Sequence, residues 1–405
     1  MASFEEQIQK ACDERIIPGV VLLATDAEGK FQYKKAFGPK DPNQPMGLDS
    51  TFILASCTKL MTSIAALQCV ERGQIGLDDD VSEILPELEK PEILEGYEDG
   101  SEKPILKTAR EKITLRLLLT HASGIAYDAI HPNLVRWRTL RGQEPGMGSL
   151  PMMDRISVPL VFEPGSGWIY GTGLDWAGVL ISRLNHTSLE AYMQQHIWNA
   201  VGAKDITFHQ ELKPSVKQNL VKMSMRGNME KPAFQLAVKS ENGVEWTDDL
   251  VYDDPTEDEY GGSGAIGSPV EYLKIMHSIL ANDGRLLKPG TVEDMFKPQL
   301  GKESLQALMG FREQPMWIDT FASLPLGTKI DYGLGGLLIL NDLKTGLKKG
   351  SLTWSGLPNL LWTIDRDSGL ALLYASNILP FGDFQSATYQ KLFEKEMYDR
   401  YTAQS

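Results

Sequence analysis

The chain has 405 residues, 42% of them hydrophobic and 23% charged, and its 54 acidic residues outnumber 40 basic ones to give a formal charge of −14. This length suggests two packed domains, and the charge argues against nucleic acid or an anionic membrane as partner. No apolar run approaches the roughly 18 residues of a membrane helix, and the acidic N-terminus lacks a signal-peptide core, so we expect a cytoplasmic protein.

Cysteine and histidine usage narrows the class further. The cysteines, Cys12, Cys57 and Cys69, are too few and odd in number for a disulfide framework. The six histidines are scattered without a metal-binding spacing, so we predict no metal and no cofactor. Asn185 begins an Asn-His-Thr sequon, which a protein that is not secreted leaves unglycosylated.

In chain order, the first predicted elements are a helix over residues 3–14 and a hairpin with strands at 20–25 and 31–37. The middle of the chain is mostly of helical pattern, with helices predicted over 59–72, 114–120, 173–184 and 188–198. The last predicted elements are strands at 334–340, 348–354, 359–364 and 370–376 and a helix over about 383–402.

Strands at both ends and helices between them indicate an inserted domain. We predict an α/β (α+β) protein in which residues 1–58 and 266–405 form one domain, an antiparallel sheet flanked by helices. Residues 59–265 form the second, mainly helical domain, and the active site is expected in the cleft between the two.

Ser56 and Lys59 are the first catalytic candidates. They lie in Ser56-Cys57-Thr58-Lys59, where the helix of 59–72 should begin, and residues three apart on a helix share a face. A serine hydroxyl needs a nearby base to act as a nucleophile, and a helix N-terminus offers N–H groups to a developing oxyanion. The tetrapeptide by itself is more often a plain helix cap.

Two later segments carry the other candidates. Tyr170 lies on a tight loop before the helix of 173–184, where a phenol can relay protons into a cleft; the alternative is an amphipathic side chain at a core edge. The strand that ends at Trp354 runs into Gly356 and Pro358, which allows a backbone N–H to point into a cleft; the alternative is a plain strand connection.

In this order, Ser56-x-x-Lys59, Tyr170-Gly-Thr172 and Lys349-Gly-Ser-Leu-Thr-Trp354 resemble the motifs of class C β-lactamases, penicillin-binding proteins and family VIII carboxylesterases. Supporting segments are similar at Ile16-Ile17-Pro18-Gly19-Val20, Leu117-Leu118-Leu119-Thr120-His121-Ala122-Ser123-Gly124 and Phe162-Glu163-Pro164-Gly165. The resemblance spans about residues 15–400 and implies a β-lactamase/penicillin-binding-protein-like fold.

The chain looks still more like the fungal lovastatin acyltransferase family and related statin esterases. That similarity lies in residues 65–73, Trp168-Ile169-Tyr170-Gly171, residues 174–178 and Lys349-Gly350-Ser351-Leu352-Thr353. The resemblance implies Ser56, Lys59 and Tyr170 as the catalytic triad, with the backbone amides of Ser56 and Leu357 as the oxyanion hole.

Two positions depart from the β-lactamase pattern. Thr172 stands where those enzymes carry the Asn of Tyr-x-Asn, and Trp354 stands where they carry a Lys or His that binds a carboxylate. Both changes favour a neutral, bulkier ester over a β-lactam, and the Leu357 side chain is expected to narrow the pocket. The predicted substrate-binding residues are Tyr127, Thr172, Trp354, Ser355 and Gly356.

Other features of the middle region are interpreted as structural. Gly262-x-Gly264-x-x-Gly267 spells a dinucleotide fingerprint, but residues 253–259 before it are acidic and form no strand, so we interpret it as a flexible return to the sheet domain. His121 is expected to be structural. For His131, Trp137 and Arg138, on a predicted lid, packing is at least as good an interpretation as ligand contact.

With the resemblance, the sequence predicts a serine carboxylic-ester hydrolase that works through an acyl-Ser56 intermediate on the side-chain ester of a bulky, statin-like polyketide. The alternative in the same class is an acyltransferase that moves a short branched acyl group from a thioester or an acyl carrier protein to a polyketide alcohol. The alternative from another class is a catalytically silent binding protein, whose signature would be loss of Ser, Lys or Tyr.

Overall fold

The computed structural model describes residues 2–146, 150–227, 243–248, 257–314 and 324–404. Its strands are β1 (Val20–Asp26), β2 (Gln32–Phe37), β3 (Pro39–Asp41), β4 (Gln44–Pro45), β5 (Phe52–Ile53), β6 (Glu92–Tyr97), β7 (Pro104–Thr108), β8 (Ile206–Thr207), β9 (Ser224–Arg226), β10 (Val244–Trp246), β11 (Ile266–Gly267), β12 (Ile330–Tyr332), β13 (Leu337–Ile339), β14 (Leu352–Gly356), β15 (Leu360–Asp365), β16 (Leu370–Ala375) and β17 (Ile378–Leu379). Its helices are α1 (Phe4–Asp13), α2 (Thr58–Glu71), α3 (Leu115–Leu119), α4 (Pro132–Thr139), α5 (Met152–Ile156), α6 (Gly173–Asn185), α7 (Leu189–Met193), α8 (Asn199–Val201), α9 (Pro214–Gln218), α10 (Pro269–Ala281), α11 (Pro289–Met295), α12 (Lys302–Glu313) and α13 (Phe384–Gln404).

Both ends of the chain build one antiparallel sheet, in the order β12-β13-β14-β15-β16-β1-β2. The N-terminal hairpin joins the C-terminal strands through β1 and β16, which pair from Val21 with Ala375 to Asp26 with Leu370. The predicted fold class is therefore confirmed. The predicted strand 334–340 shortens to β13 because a turn closed by the Gly333 amide on the Gly336 carbonyl precedes it, and β12 was not predicted.

Helices cover both faces of this sheet. Strands β1, β15 and β16 are buried along their whole length, which requires apolar packing on both sides. Helix α10 packs against these three strands. Helix α13 contacts β16, and its Phe393 ring meets Phe4 of α1 and Tyr33 of β2.

Helix α2 lies at the centre of the molecule. Residues Thr58 to Cys69 are buried on every side of the helix, unlike an ordinary amphipathic helix, which keeps one polar face in solvent. The difference arises because α2 contacts α6 and α7 while Leu60 also reaches Gly335 beside the large sheet. A helix enclosed in this way exposes no polar face, so its polar residues need partners inside the protein.

The middle region is less helical than predicted. It contains the hairpin β6-β7, and its strand β8 joins β5 and β11 in a small sheet. Likewise β9 pairs with β17 from the C-terminal part of the chain. These strands have two to six residues, too short for a clear alternating pattern. They also link the two predicted domains across the boundary at residue 265, so the division into domains stays a prediction.

Several smaller predictions bear on the environment of the chain. No helix in the described residues is both long and apolar enough to cross a membrane. The three cysteines are buried and unpaired. The Asn185 amide of the sequon donates hydrogen bonds to the Ile181 carbonyl at 2.8 Å and to Cys69 Sγ at 3.5 Å, so this side chain is already engaged inside the protein.

Candidate active site

Ser56 lies on a strained turn immediately before α2. The turn is a 3₁₀ segment, Ala55–Cys57, and Ala55 has a φ of 45°, a left-handed conformation that non-glycine residues rarely adopt. The Leu54 amide bonds to the Ala265 carbonyl at 3.0 Å and anchors the turn from outside. Among the residues that the structure describes, no side chain caps α2 or the 3₁₀ segment, so the Ser56 hydroxyl is not a helix cap.

Lys59 holds its amine against Ser56, as the spacing of three residues predicted. Its side chain is buried, with 2% of its surface exposed. Nζ lies 3.2 Å from Ser56 Oγ, 3.0 Å from the Tyr127 hydroxyl and 2.6 Å from the Gly262 carbonyl oxygen. None of these partners is a carboxylate.

Tyr170 reaches Ser56 from the other side. Its hydroxyl lies 2.7 Å from Ser56 Oγ, and its ring centroid is 4.7 Å from Lys59 Nζ. The indole N–H of Trp354 donates to the Tyr170 oxygen at 3.2 Å. The structure therefore brings Ser56, Lys59 and Tyr170 together, and it gives Trp354 a contact with Tyr170 that the sequence did not predict.

The oxygen atoms around Lys59 can accommodate its amine in either protonation state. A carbonyl can only accept, so one N–H of Lys59 donates to Gly262. A second N–H can donate to the Tyr127 hydroxyl. The third position of Nζ faces Ser56 Oγ, to which a protonated Lys59 donates and from which a neutral Lys59 can accept. An indole N–H can only donate, so the Tyr170 oxygen accepts from Trp354 and its own O–H is available for Ser56.

The glycine-rich segment behind Lys59 is part of this site. Besides Gly262, the Gly261 carbonyl accepts from Thr62 Oγ1 at 2.6 Å. A Cβ on Gly261 would lie 2.7 Å from the Leu174 carbonyl oxygen, so the loop is tightly packed against α6. The interpretation as a flexible return is therefore wrong, because close backbone approach explains the glycines. Of the acidic run before it, residues 253–256 lie outside the described residues.

Asp175 is a buried carboxyl group behind the lysine that sequence reasoning missed. Its Oδ1 accepts from the Gly262 amide at 2.8 Å, and the Gly262 carbonyl accepts from Lys59, so a single residue separates the carboxyl group from the amine. Burial raises the pKa of Asp175 to about 6, against the opposing effects of the Lys59 charge and the Gly262 hydrogen bond. An acidic residue in the first turn of α6 was the available signal, but that position also suits helix-dipole stabilisation.

Aromatic rings enclose Tyr170. His121 lies 4.8 Å from it, and Tyr127 and Trp354 each lie 5.2 Å away, between ring centroids. Burial, followed by the charge of Lys59, holds the pKa of His121 well below its ordinary value. A neutral, packed imidazole agrees with the structural role predicted for His121.

The predicted oxyanion donors come from two segments that touch. An ideal Cβ on Gly356 would lie 2.6 Å from the Leu54 carbonyl oxygen and 3.3 Å from Cys57 Sγ, so the end of β14 lies directly on the Ser56 turn. This close approach explains Gly356 by packing, and its substrate contact stays a prediction. The Leu357 side chain packs on a cluster that includes Ala55 and Ile266, so only part of it can face the cleft. Neither the Ser56 nor the Leu357 amide has a backbone acceptor among the described residues.

Thr172 lies beside the site without contacting its reactive atoms. Its buried Oγ1 has no hydrogen-bond partner in the described part of the chain, and the residue borders a cavity of about 20 Å³ with Tyr127, Asp175 and Ser263. Ser355 is partly exposed on β14. Substrate contact by Tyr127, Thr172, Trp354 and Ser355 stays a prediction.

The residues considered for a lid have packing roles. Arg138 is 3% exposed, and its Nε donates to Asp128 Oδ2 at 2.7 Å. Burial lowers the pKa of His131, and the Arg141 guanidinium lies over the Trp137 ring at 3.2 Å. Within the described ranges, no group of three His, Cys, Asp or Glu side chains is arranged to hold a metal ion.

Comparison with known proteins identifies the family of the chain. Residues 4–394 match the family described as beta-lactamase. The chain is 34% identical over 406 residues to the monacolin J acid methylbutanoyltransferase of Aspergillus terreus, which covers 98% of this chain and 95% of that protein. It is 36% identical over 400 residues to the lovastatin esterase of Penicillium rubens, with 98% of each chain covered.

The solved structures give the same result. The unliganded simvastatin synthase of Aspergillus terreus superposes with a TM-score of 0.88 at 33% identity and covers 99% of each chain. The hydrolase EstCE1, described as having promiscuous acyltransferase activity, shares the fold with a TM-score of 0.75 at 21% identity. On both its sequence and its fold, this chain belongs to the beta-lactamase family.

Proposed function

We propose that this protein is a serine carboxylic-ester hydrolase that acts through an acyl-Ser56 intermediate. The observation that carries the proposal is the position of Ser56 Oγ, 3.2 Å from Lys59 Nζ and 2.7 Å from the Tyr170 hydroxyl. A hydroxyl between a possible base and a possible proton donor is the arrangement that nucleophilic acyl transfer requires. A silent binding protein would have no need of it.

In the proposed reaction, Ser56 Oγ attacks the ester carbonyl while neutral Lys59 takes its proton. The carbonyl oxygen becomes an oxyanion that the Ser56 and Leu357 amides stabilise. Tyr170 then protonates the departing alcohol, and the proton on Lys59 restores Tyr170. A water molecule then attacks the carbonyl of acyl-Ser56 with the same proton transfers, which releases the carboxylic acid and restores Ser56. The cleft between the sheet domain and the helical insertion would hold the substrate.

For the substrate, we propose the methylbutanoyl side-chain ester of a statin-like polyketide. The support is the similarity to the two fungal relatives. One is named for the transfer of a methylbutanoyl group and for monacolin J acid, and the other is named as an esterase of lovastatin. Trp354, engaged by Tyr170, cannot offer a cation to a substrate carboxylate, which disfavours β-lactams. The enzyme should therefore turn over a cephalosporin far more slowly than it cleaves a good ester.

Acyl transfer is the second candidate function. The transferase and the esterase relatives are 34% and 36% identical to this chain, so similarity does not separate the two reactions. In transfer, a thioester or an acyl carrier protein would acylate Ser56, and a polyketide alcohol would take the place of water. Both reactions share the acyl-enzyme and differ only in the acceptor.

The test offers the enzyme each donor separately. Lovastatin acid, or a methylbutanoyl thioester of a small thiol with monacolin J acid, is incubated with wild-type protein and with Ser56→Ala. Free methylbutanoic acid and new ester are then quantified, and intact-protein mass spectrometry follows the acyl-enzyme. Release of acid from lovastatin supports the hydrolase. Ester formation from the thioester without any free acid would make the protein an acyltransferase instead.

A further inference from the structure

The turn after β14 carries the Leu357 amide, which the proposed mechanism uses as an oxyanion donor. It runs from Gly356 to Asn359, and the Asn359 amide closes it by donating to the Gly356 carbonyl at 2.9 Å. Asn359 has a φ of 64°, a left-handed conformation that asparagine tolerates better than most residues. The position of the Leu357 amide therefore depends on how firmly this turn is held.

The Asn359 side chain is fully hydrogen-bonded to another part of the chain. Its Nδ2 donates to the Ile378 and Pro380 carbonyls at 2.8 and 2.9 Å. Its Oδ1 accepts from the Gly382 and Asp383 amides, each at 3.0 Å. A side-chain amide has two donor hydrogens and two acceptor lone pairs, so all four of its valences are used on one backbone segment.

That segment is itself fixed. Asp383 forms a buried ion pair with Arg226 of β9, and its Oδ1 accepts from the Ser386 amide at the start of α13. The Ser376 hydroxyl adds bonds to the Pro358 and Asn359 carbonyls, both at 3.1 Å. The turn is therefore attached to a segment that has several buried partners of its own.

We propose that Asn359 is a positioning residue for the oxyanion hole: its side chain fixes the Gly356–Asn359 turn so that the Leu357 amide points at the carbonyl attacked by Ser56. The inference rests on the proposed function, since the Leu357 amide is an oxyanion donor only if Ser56 is acylated. An oxyanion donor works through its fixed position, and a displacement of about 1 Å at such a site can cost about 100-fold in rate.

The test measures oxyanion stabilisation directly. Acylation by an ester is compared with acylation by the matching thionoester, whose C=S sulfur accepts hydrogen bonds weakly. Wild-type protein should prefer the ester strongly. Asn359→Gly keeps the positive φ but removes the four bonds, and should lower the ester-to-thionoester ratio of kcat/KM by about 10- to 100-fold. Most of the loss should appear in kcat, with KM little changed.

Asn377→Ala is the matched control. Asn377 is also a buried asparagine and lies on the supporting segment. Its side chain donates to the Val221 carbonyl at 2.9 Å and, within the described residues, makes no hydrogen bond to the Gly356–Asn359 turn. Asn377→Ala should lower the free energy of unfolding and keep the wild-type ester-to-thionoester ratio of kcat/KM. Ser376→Ala, a milder change at the turn, should lower the ratio less than Asn359→Gly and covers the case in which that variant does not fold.

Failure of this inference and failure of the proposed function give different results. If Ser56 is acylated but the variants at the turn keep the wild-type ratio, or if Asn377→Ala lowers it equally, Asn359 is only structural and the inference is overturned. A wild-type protein that forms no acyl-Ser56 with either carbonyl overturns the proposed function, and with it the role of Asn359.

Discussion

Two buried basic residues, Lys59 and Arg138, have opposite environments. Lys59, 2% exposed, meets only neutral oxygens, and no carboxylate forms an ion pair with it in the part of the chain that the structure describes. Arg138, 3% exposed, is paired with Asp128 at 2.7 Å. It also bonds to Gln143 and to the carbonyls of residues 154 and 155.

The difference in environment matches a difference in role, catalytic for Lys59 in the proposed mechanism and structural for Arg138. A buried charge is stable when it is paired and fully hydrogen-bonded, and Arg138 satisfies both conditions. The Lys59 amine lacks a direct counter-ion, which suits a group that must exist without its proton. Arg138 ties the segment after Tyr127 to the ends of α4 and α5, whereas Lys59 serves the nucleophile.

The largest effect is expected at Ser56. Ser56→Ala should abolish acyl-enzyme formation and lower the rate by about 10⁴-fold or more. Because the hydroxyl caps no helix, the free energy of unfolding should change by no more than about 1 kcal/mol. Intact-mass spectrometry and urea unfolding measure the two quantities, and acylation of the variant at the wild-type rate would rule out Ser56 as nucleophile.

Lys59 and Tyr170 should act as one proton-transfer unit. Lys59→Ala and Tyr170→Phe should each lower kcat/KM by about 10²- to 10⁴-fold. The double variant should lose little more, because groups acting in one step are not additive. Steady-state kinetics of the four proteins form the test, and losses that simply multiply would show that the two residues act independently.

Arg138→Met should lower stability but not activity, which is the opposite of the effect expected for Ser56→Ala. It leaves Asp128 buried without its main partner, while the Gly146 amide at 2.8 Å and the Arg155 guanidinium at 3.6 Å remain. The free energy of unfolding should fall by about 3–5 kcal/mol. The rate per folded molecule should be retained. Urea unfolding checks this against Arg136→Met, an exposed position on the same helix, which should cost under about 1 kcal/mol. Equal destabilisation by the two variants would refute the comparison.

Asp175→Asn should produce the smallest effect and one that depends on pH. The amide can still accept from Gly262 but carries no charge. Since the pKa of Asp175 is raised to about 6 by burial, the wild-type carboxyl is neutral below pH 5 and ionised above pH 7. An anion there favours the protonated amine, so the variant-to-wild-type ratio of kcat/KM should rise by about 3- to 10-fold between pH 5 and 7.

A pH–rate profile of both proteins checks this prediction. Asp175→Ala is the control, because it removes the acceptor as well as the charge and should be slower at every pH. A ratio for Asp175→Asn that does not change with pH would mean that Asp175 acts only as the acceptor for the Gly262 amide.

Sequence patterns predicted some residues of the site and missed others. The spacing of Ser56 and Lys59 predicted their contact because it depends on one turn of helix. Tyr170 required the family resemblance, since its loop is 114 residues from Ser56. Gly262 was interpreted as flexible and Asp175 was overlooked, because a glycine or a first-turn acid has many local explanations. Trp354 was expected to face the substrate, and its bond to Tyr170 was not foreseen.

The sequence by itself determined what depends on neighbouring residues: the strands at both ends, the turn of helix that joins Ser56 to Lys59, and the motifs that indicate the family. Only the tertiary structure decided which groups complete the site. Lys59 meets a carbonyl 203 residues away, and the Asn359 amide closes on a segment beyond the next hairpin. Such contacts are formed by packing between distant segments, which local periodicity does not encode, and here they decide how the reactive atoms are held.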